Sequence, residues 1–433
     1  MVAHREIHFA FATVSNREIV EFRRRVRESM KGAFPAVTGQ AIEELHGECR
    51  RKLHAKEVVS FNSGRQAFYA ILEALQVGPG DEVIVPGYTC VVVPAAVLYR
   101  GARPVYADID PRTFGPDPVD VARRVSPRTK VILAQHTYGI PCDAEALRRI
   151  ADENKVALVE DCAHVFGRAD DDGRSPGSWG DASFYSFEIT KPITAGRGGL
   201  AVTNDAECAM RLRAVYDRTS PPRLRVARWD AIQALAYHAA LSPKARFLGG
   251  PAVGLLTRLG VFEPSITRKE LHLRRPRRYP ERLSNLQASL ALSQVRRVDE
   301  IRAARVAATK HYRAIFTRLG LPILVPRRDL ALLRWPFLLT SRKAAKTFFW
   351  KYQIELGEWF NAPLHPGRSD HHSAGYLEGM CRRGEFAARH ASSFPTHPAV
   401  LATDFERIDR ALEAFAARHP SDFLPGLEPG EGA

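Results

Sequence analysis

Between about Lys56 and Asp205, short aliphatic runs alternate with stretches whose apolar residues recur at helical spacing. The runs at 82–86, 104–108, 130–134 and 156–160 show no regular polar face, and strands of that kind are buried on both sides. Helical stretches such as 67–76 and 144–154 fill the intervals. Strands spaced by helices make βαβ units, so the region predicts an α/β fold with a mostly parallel central sheet and helices on both faces. After about Tyr216 the alternation stops. Residues 223–278 are dense in Arg and Pro around an apolar patch at 231–259. A long helical pattern runs from Leu283 past Tyr312, and 342–418 mixes a helix, the loop 361–366 and a final helix. The pattern divides the chain into an N-terminal segment (1–38), a large α/β domain (39–295), a smaller α+β C-terminal domain (296–423) and a flexible tail (424–433).

Composition narrows the class. With 45% hydrophobic and 26% charged residues over 433 positions, the chain is globular and able to bury a large core, which excludes fibrous and wholly disordered proteins. Six cysteines form no CxxC pair and no ligand cluster, so they read as reduced thiols in the cytoplasm, with no metal site expected. The apolar run 8–14 is too short for a secretory or membrane segment. Sixty-three basic against 48 acidic side chains leave a net charge of +15, which favours anionic partners. No helix-turn-helix or zinc-finger spacing accompanies that charge, and nucleic acid is not expected.

Open parallel sheets bind ligands beyond the carboxyl ends of their strands. Three such ends are polar here: Gly87-Tyr88-Thr89, His136-Thr137-Tyr138-Gly139 and Asp161. Lys191 follows an apolar strand and precedes the turn Gly196-Arg197-Gly198-Gly199. A lysine desolvated in that way is a candidate Schiff-base amine, and the plainer alternative is a surface lysine at a strand end. Glu160 and Asp161 end a buried strand, so by two-residue alternation one of them can face the crevice. A carboxylate there can keep a pyridine nitrogen protonated, although capping is the commoner fate of such an Asp. Asn62-Ser63-Gly64-Arg65 opens a helix whose free N–H groups suit a phosphate or simply need a cap, and Ser186 can add a hydroxyl to the same phosphate.

In combination these residues resemble the sugar aminotransferases of the DegT/DnrJ/EryC1/StrS family, pyridoxal-phosphate enzymes of the aspartate aminotransferase type I fold. The resemblance runs from about Gly39 to Ala416 through Ser63-Gly64, 78–86, Gly101-Ala102 with 105–110, 136–139, 160–164, and Gly180-Asp181 with 186–199. It implies pyridoxal 5'-phosphate as cofactor, with Lys191 forming the Schiff base and moving the proton while Asp161 pairs with the pyridine nitrogen. It further implies Ser63, Gly64, Arg65 and Ser186 at the phosphate, Tyr88 and His164 at the ring, and His136, Tyr138, Arg282 and Trp359 toward the substrate. The expected reaction turns a nucleotide-linked keto-sugar into an amino sugar with glutamate as donor. A homodimer with sites between subunits is expected.

Three positions depart from the family pattern. His164 replaces a usual Gln, which would make the site more sensitive to pH. Cys90 stands where an aromatic normally covers the ring, so either Tyr88 takes the stacking role or the contact is weaker. Pro280 replaces an Asn that reaches the neighbouring subunit, and proline cannot donate. Region 223–278 is longer than its family counterpart and reads either as a solvated insertion over the site or as a basic amphipathic surface for peripheral membrane contact. Two rival functions share the fold. A sugar dehydratase of the same family would carry His in place of Lys191, and a noncatalytic regulator or scaffold would have little reason to keep both Asp161 and Lys191.

Overall fold

The computed structural model describes residues 9–10, 12–167, 175–240, 246–327 and 329–427. Its centre is a seven-stranded sheet in the order Glu57–Phe61, Gly199–Thr203, Ala182–Ser186, Ala157–Asp161, Thr129–Gln135, Glu82–Pro86, Arg103–Ala107. Gly199–Thr203 runs antiparallel to both neighbours, and the other pairings are parallel. Successive residues feed different cores: Val131, Leu133 and Val159 pack with the helices Gly64–Ala74 and Val92–Tyr99, while Ile132, Ala134 and Leu158 pack with Ala144–Asn154. That two-sided burial is why the strands read as continuous apolar runs.

Beyond the sheet the chain differs from its sequence pattern in two places. The helical stretch from Leu283 is two helices, Asn285–Arg296 and Val298–Arg318, parted at Arg297 with φ −115° and ψ 27°. The expected flexible tail begins later than Leu424, because Phe423–Leu424 pairs with Leu339 and Leu338 and Leu427 is fully buried. Residues 428–433 of that tail lie outside the described residues. The C-terminal part is a three-stranded antiparallel sheet, Ala391–Pro395, Arg334–Leu339 and Phe423–Leu424, backed by Val298–Arg318, Arg342–Trp350 and Ala402–Arg418. Its core takes in Tyr88, Phe114 and Tyr138 from loops of the large sheet, so the two parts interlock. Region 223–278 contains the helices Leu224–Ala240, Arg246–Arg258 and Arg268–Leu271. Among the described residues, no helix is long and apolar enough to cross a membrane.

Candidate active site

One cavity lies beyond the carboxyl ends of the parallel strands. Ser63, Gly64, Arg65, His136, Asp161, His164, Ser186, Lys191 and Trp359 all line it. Glycine backbone makes the convergence possible. Gly199 is in register with Phe61 on one side and Ser186 on the other. A Cβ on Gly199 would stand 2.4 Å from the Gly64 nitrogen, and one on Gly64 would stand 3.0 Å from the Ser186 Cβ. The turn at Ser63 therefore closes onto the strand end that carries Ser186. Ser63, extended at φ −165°, caps the helix Gly64–Ala74 by accepting the Gln66 N–H at 3.4 Å, which brings the positive helix end to the cavity wall.

Past Ser186 the chain loops through Lys191 and returns to the sheet. The Phe187 N–H donates to the Gly198 carbonyl, and the Lys191 N–H donates to the Glu188 carbonyl at 3.0 Å. Gln294, on the helix Asn285–Arg296, accepts the Thr194 N–H and donates to the Thr194 carbonyl, fastening the loop from behind. Lys191 is 9% exposed, and its Nζ lies 4.3 Å from the Trp359 ring centroid. Burial pulls its ammonium below the ordinary lysine range, against the opposing charges of Glu188 and Asp161.

Asp161 is buried, and among the described residues the only hydrogen bond to its carboxylate is from the Ala163 N–H, which donates to Oδ1 at 2.9 Å. Burial pushes its carboxyl up, while that N–H and Lys191 draw it back. Glu160 has the opposite fate. Its oxygens accept N–H groups from Gly177, Trp179 and Gly180 and face His136 Nε2 at 2.9 Å. Strand alternation thus places Asp161 on the cavity and Glu160 in the framework.

His164 accepts the Tyr138 backbone N–H on Nδ1 at 3.1 Å, so its proton sits on Nε2. Its ring stacks on Phe360 with centroids 6.0 Å apart and planes 25° apart. Burial, reinforced by Lys191 and Arg334, holds this imidazole well below its ordinary range. That direction runs against the greater pH sensitivity expected from His164, because a buried imidazole resists taking up a proton.

Several other expected site residues do different work. Tyr88 is fully buried with its hydroxyl 2.7 Å from that of Tyr138, and it accepts the Phe360 N–H at 3.2 Å. The two hydroxyls satisfy each other inside the shared core, which makes their burial tolerable, and Cys90 takes the wall instead. Arg282 is also away from the cavity. It donates to the Tyr216 and Asp217 carbonyls at 2.9 and 2.5 Å, with its guanidinium 4.4 Å from the Tyr216 ring. His136 lines the cavity but has both nitrogens engaged, Nδ1 accepting the Cys142 N–H at 3.2 Å. Arg65 is ion-paired to Glu270 from the 223–278 region. Pro280 borders a separate basic hollow with Arg218, Arg275 and Arg277.

Phe360, a plausible lining by sequence beside Trp359, is on the wall, and Glu188, Arg197, Ser265 and Ile266 join it without having been selected from sequence. Arg197 pairs with Glu263 at 3.0 Å, so the long region reaches the cavity mouth. Its ring-forming neighbours give no linear signal, because they converge from segments far apart in the chain.

The family model described as the DegT/DnrJ/EryC1/StrS aminotransferase family matches residues 16–413. GDP-perosamine synthase of Caulobacter vibrioides is 28% identical over 406 residues, spanning 90% of this chain and 93% of that protein. Two solved structures share the fold. DesV of S. venezuelae is 24% identical with a TM-score of 0.73, over 95% of this chain and 99% of that one. NtdA of Bacillus subtilis, solved with bound cofactor PMP, is 20% identical with a TM-score of 0.69, over 95% of this chain and 85% of that one.

Proposed function

Because the chain belongs to the DegT/DnrJ/EryC1/StrS aminotransferase family, we propose that it transfers an amino group from glutamate to a nucleotide-linked keto-sugar, using pyridoxal 5'-phosphate. The observation that carries this reading is the meeting, on one cavity, of a buried amine (Lys191), a buried carboxylate (Asp161) and a glycine-closed helix N-terminus flanked by Ser63 and Ser186. That donor set fits three of the cofactor's polar groups: an aldehyde for the amine, a ring nitrogen for the carboxylate and a phosphate for the helix end. The relative in Caulobacter supports a sugar carried on a nucleotide, and the net charge of +15 suits a diphosphate substrate.

When bound, pyridoxal phosphate supplies a carbonyl that condenses with amines and a protonated ring that accepts electrons from the substrate carbon. The residues divide the remaining work. The Gly64 backbone and the hydroxyls of Ser63 and Ser186 would hold the phosphate, aided by the helix dipole. Asp161 would keep the ring nitrogen protonated. Lys191, with burial favouring its neutral form, carries the proton at Nζ in both half-reactions. His164 offers a neutral Nε2–H, and Trp359 and Phe360 exclude water from the wall. Arg65 positions the phosphate turn through Glu270 rather than serving as a free cation. We expect a cytoplasmic homodimer, a location consistent with six free cysteines.

The test is spectroscopic. Purified protein supplied with pyridoxal phosphate is expected to develop a visible absorption band that bleaches with L-glutamate and returns with 2-oxoglutarate. A protein that stays colourless, or whose band ignores every amino acid tried, would be the scaffold and not the transaminase.

A further inference from the structure

The helices Leu224–Ala240 and Arg246–Arg258 pack together as a hairpin within the 223–278 region. Val253, Leu256 and Thr257 of the second helix are half-buried, and Thr257 Oγ1 lies 3.5 Å from the Tyr237 hydroxyl of the first. The other face of the second helix is apolar and open. Ala252, Leu255 and Leu259 recur on it at helical spacing, carried past the helix end by the Leu259 N–H donating to the Leu255 carbonyl at 2.9 Å. Leu255 is 57% exposed and Leu259 67%. Val261 follows at 42%, and Trp229, 41% exposed, sets its ring 6.3 Å from that of Phe262 beside it. With Leu224, five of the thirteen large exposed apolar side chains among the described residues fall within 224–261. Single exposed leucines are ordinary, but a cluster marks a contact surface.

The charge on this hairpin has one sign. From Leu224 to Phe262 the sequence holds five basic residues and a single acidic one, Asp230. Asp230 is buried beside Arg197 at 3.9 Å, and the next acid along the chain, Glu263, pairs with the same arginine at 3.0 Å. Arg225 and Arg258 are exposed, and among the described residues neither pairs with a carboxylate. Leucines beside unpaired arginines define the chemistry of the partner. A second copy of this chain would set the same positive charges face to face across a twofold interface. A nucleic acid offers phosphates to the arginines but leaves Leu255 and Leu259 in water. An anionic bilayer satisfies both, with headgroup charge for Arg225 and Arg258 and the acyl boundary for the leucines, where tryptophan is also enriched.

We propose that this hairpin seats the protein on the surface of an anionic lipid membrane. Among the described residues no helix is long and apolar enough to cross a bilayer, so the attachment is peripheral. The hairpin is braced against the cavity mouth: Gln233 donates to the Glu263 carbonyl at 2.8 Å and accepts its N–H at 3.1 Å, and Glu263 holds Arg197 on the cavity wall. The docked face and the mouth of the site therefore belong to one framework. The attachment does not depend on the reaction proposed above.

The test is sedimentation of the full-length protein with vesicles of phosphatidylcholine and phosphatidylglycerol, or of phosphatidylcholine alone. Wild-type protein is expected to pellet with the anionic vesicles, to stay in solution with the neutral ones and to be released as salt is raised. The double variants Leu255→Ser/Leu259→Ser and Arg225→Gln/Arg258→Gln should each weaken vesicle binding about tenfold or more while keeping the wild-type circular dichroism, because the altered side chains are exposed. No pelleting with anionic vesicles, equal pelleting with neutral ones, or full binding by both double variants would overturn the assignment. Analytical ultracentrifugation checks the rival occupant: a wild-type assembly that breaks down in Leu255→Ser/Leu259→Ser would give the face to a second copy of the chain and overturn it as well.

Discussion

Arg65 and Glu270 face each other as a buried ion pair, Nε to Oε1 at 2.5 Å, with side chains 13% and 2% exposed. Glu270 also accepts the Thr267 N–H at 2.9 Å in the capping box of the short helix Arg268–Leu271, so one carboxylate ties the 223–278 region to the turn at Ser63. Glu270→Ala strands a buried guanidinium and is expected to cost about 3–5 kcal/mol in urea denaturation. The double variant Arg65→Met/Glu270→Leu should recover much of that loss, because the desolvation cost disappears with the charges. A single variant as stable as wild type would mean that water reaches the pair.

Lys191→Ala should retain pyridoxal phosphate noncovalently through Ser63, Gly64, Ser186 and Asp161 while losing about 10²- to 10⁴-fold or more in turnover, the usual scale of a missing acid–base group. Equilibrium dialysis measures the first expectation and single-turnover kinetics the second. Preserved turnover would remove Lys191 from its role.

Gly199→Ala tests the backbone approach that brings Ser186 to the Ser63 turn. The new methyl would meet the Gly64 nitrogen at 2.4 Å and its Cα at 2.5 Å, and backbone cannot swing aside as a flexible side chain can. Overpacking of this kind costs about 1–3 kcal/mol or more. Cofactor retention should fall at least tenfold, about 1.4 kcal/mol by the same arithmetic, whereas Gly78→Ala, which meets nothing within 4 Å, should leave both stability and cofactor affinity near wild type.

The buried histidines predict how stability depends on pH. Burial lowers His46 to about 3 and His365 to about 3, and it depresses His164 as well. Each ring is neutral when folded and takes up a proton near pH 6.5 when unfolded. Stability is therefore full above that pH and falls as the pH drops from 6.5 toward the folded values, by up to about 1.4 kcal/mol per pH unit for each ring. His46→Gln, whose wild-type Nε2 lies 2.9 Å from Ser60 Oγ, should flatten the acid limb by one such increment. Denaturant titrations at pH 5.5 and 4.5 measure the slope. An unchanged slope would show that His46 titrates while folded.

Local rules decided a good deal in advance. Continuous apolar runs of five residues made four of the seven central strands legible to within a residue or so, because a strand buried on both faces has no room for a polar one. The carboxylate pair at 160–161 required two destinations, and the order Ser63-Gly64, Asp161, Ser186, Lys191 along the chain was enough to suggest what they assemble. These are properties of neighbouring residues and of spacing, which a linear pattern records.

Tertiary structure alone decided which member of each pair reached the cavity. Tyr88 and Tyr138 satisfy each other's hydroxyls 50 residues apart and leave the wall to Cys90. Arg282 is spent on carbonyls 65 and 66 residues away. Arg334 has no motif around it, and only the fold sets its guanidinium between the Phe9 and Trp359 rings. Whether a polar group is satisfied depends on partners brought together from distant parts of the chain, and that accounting exists only once the backbone is folded.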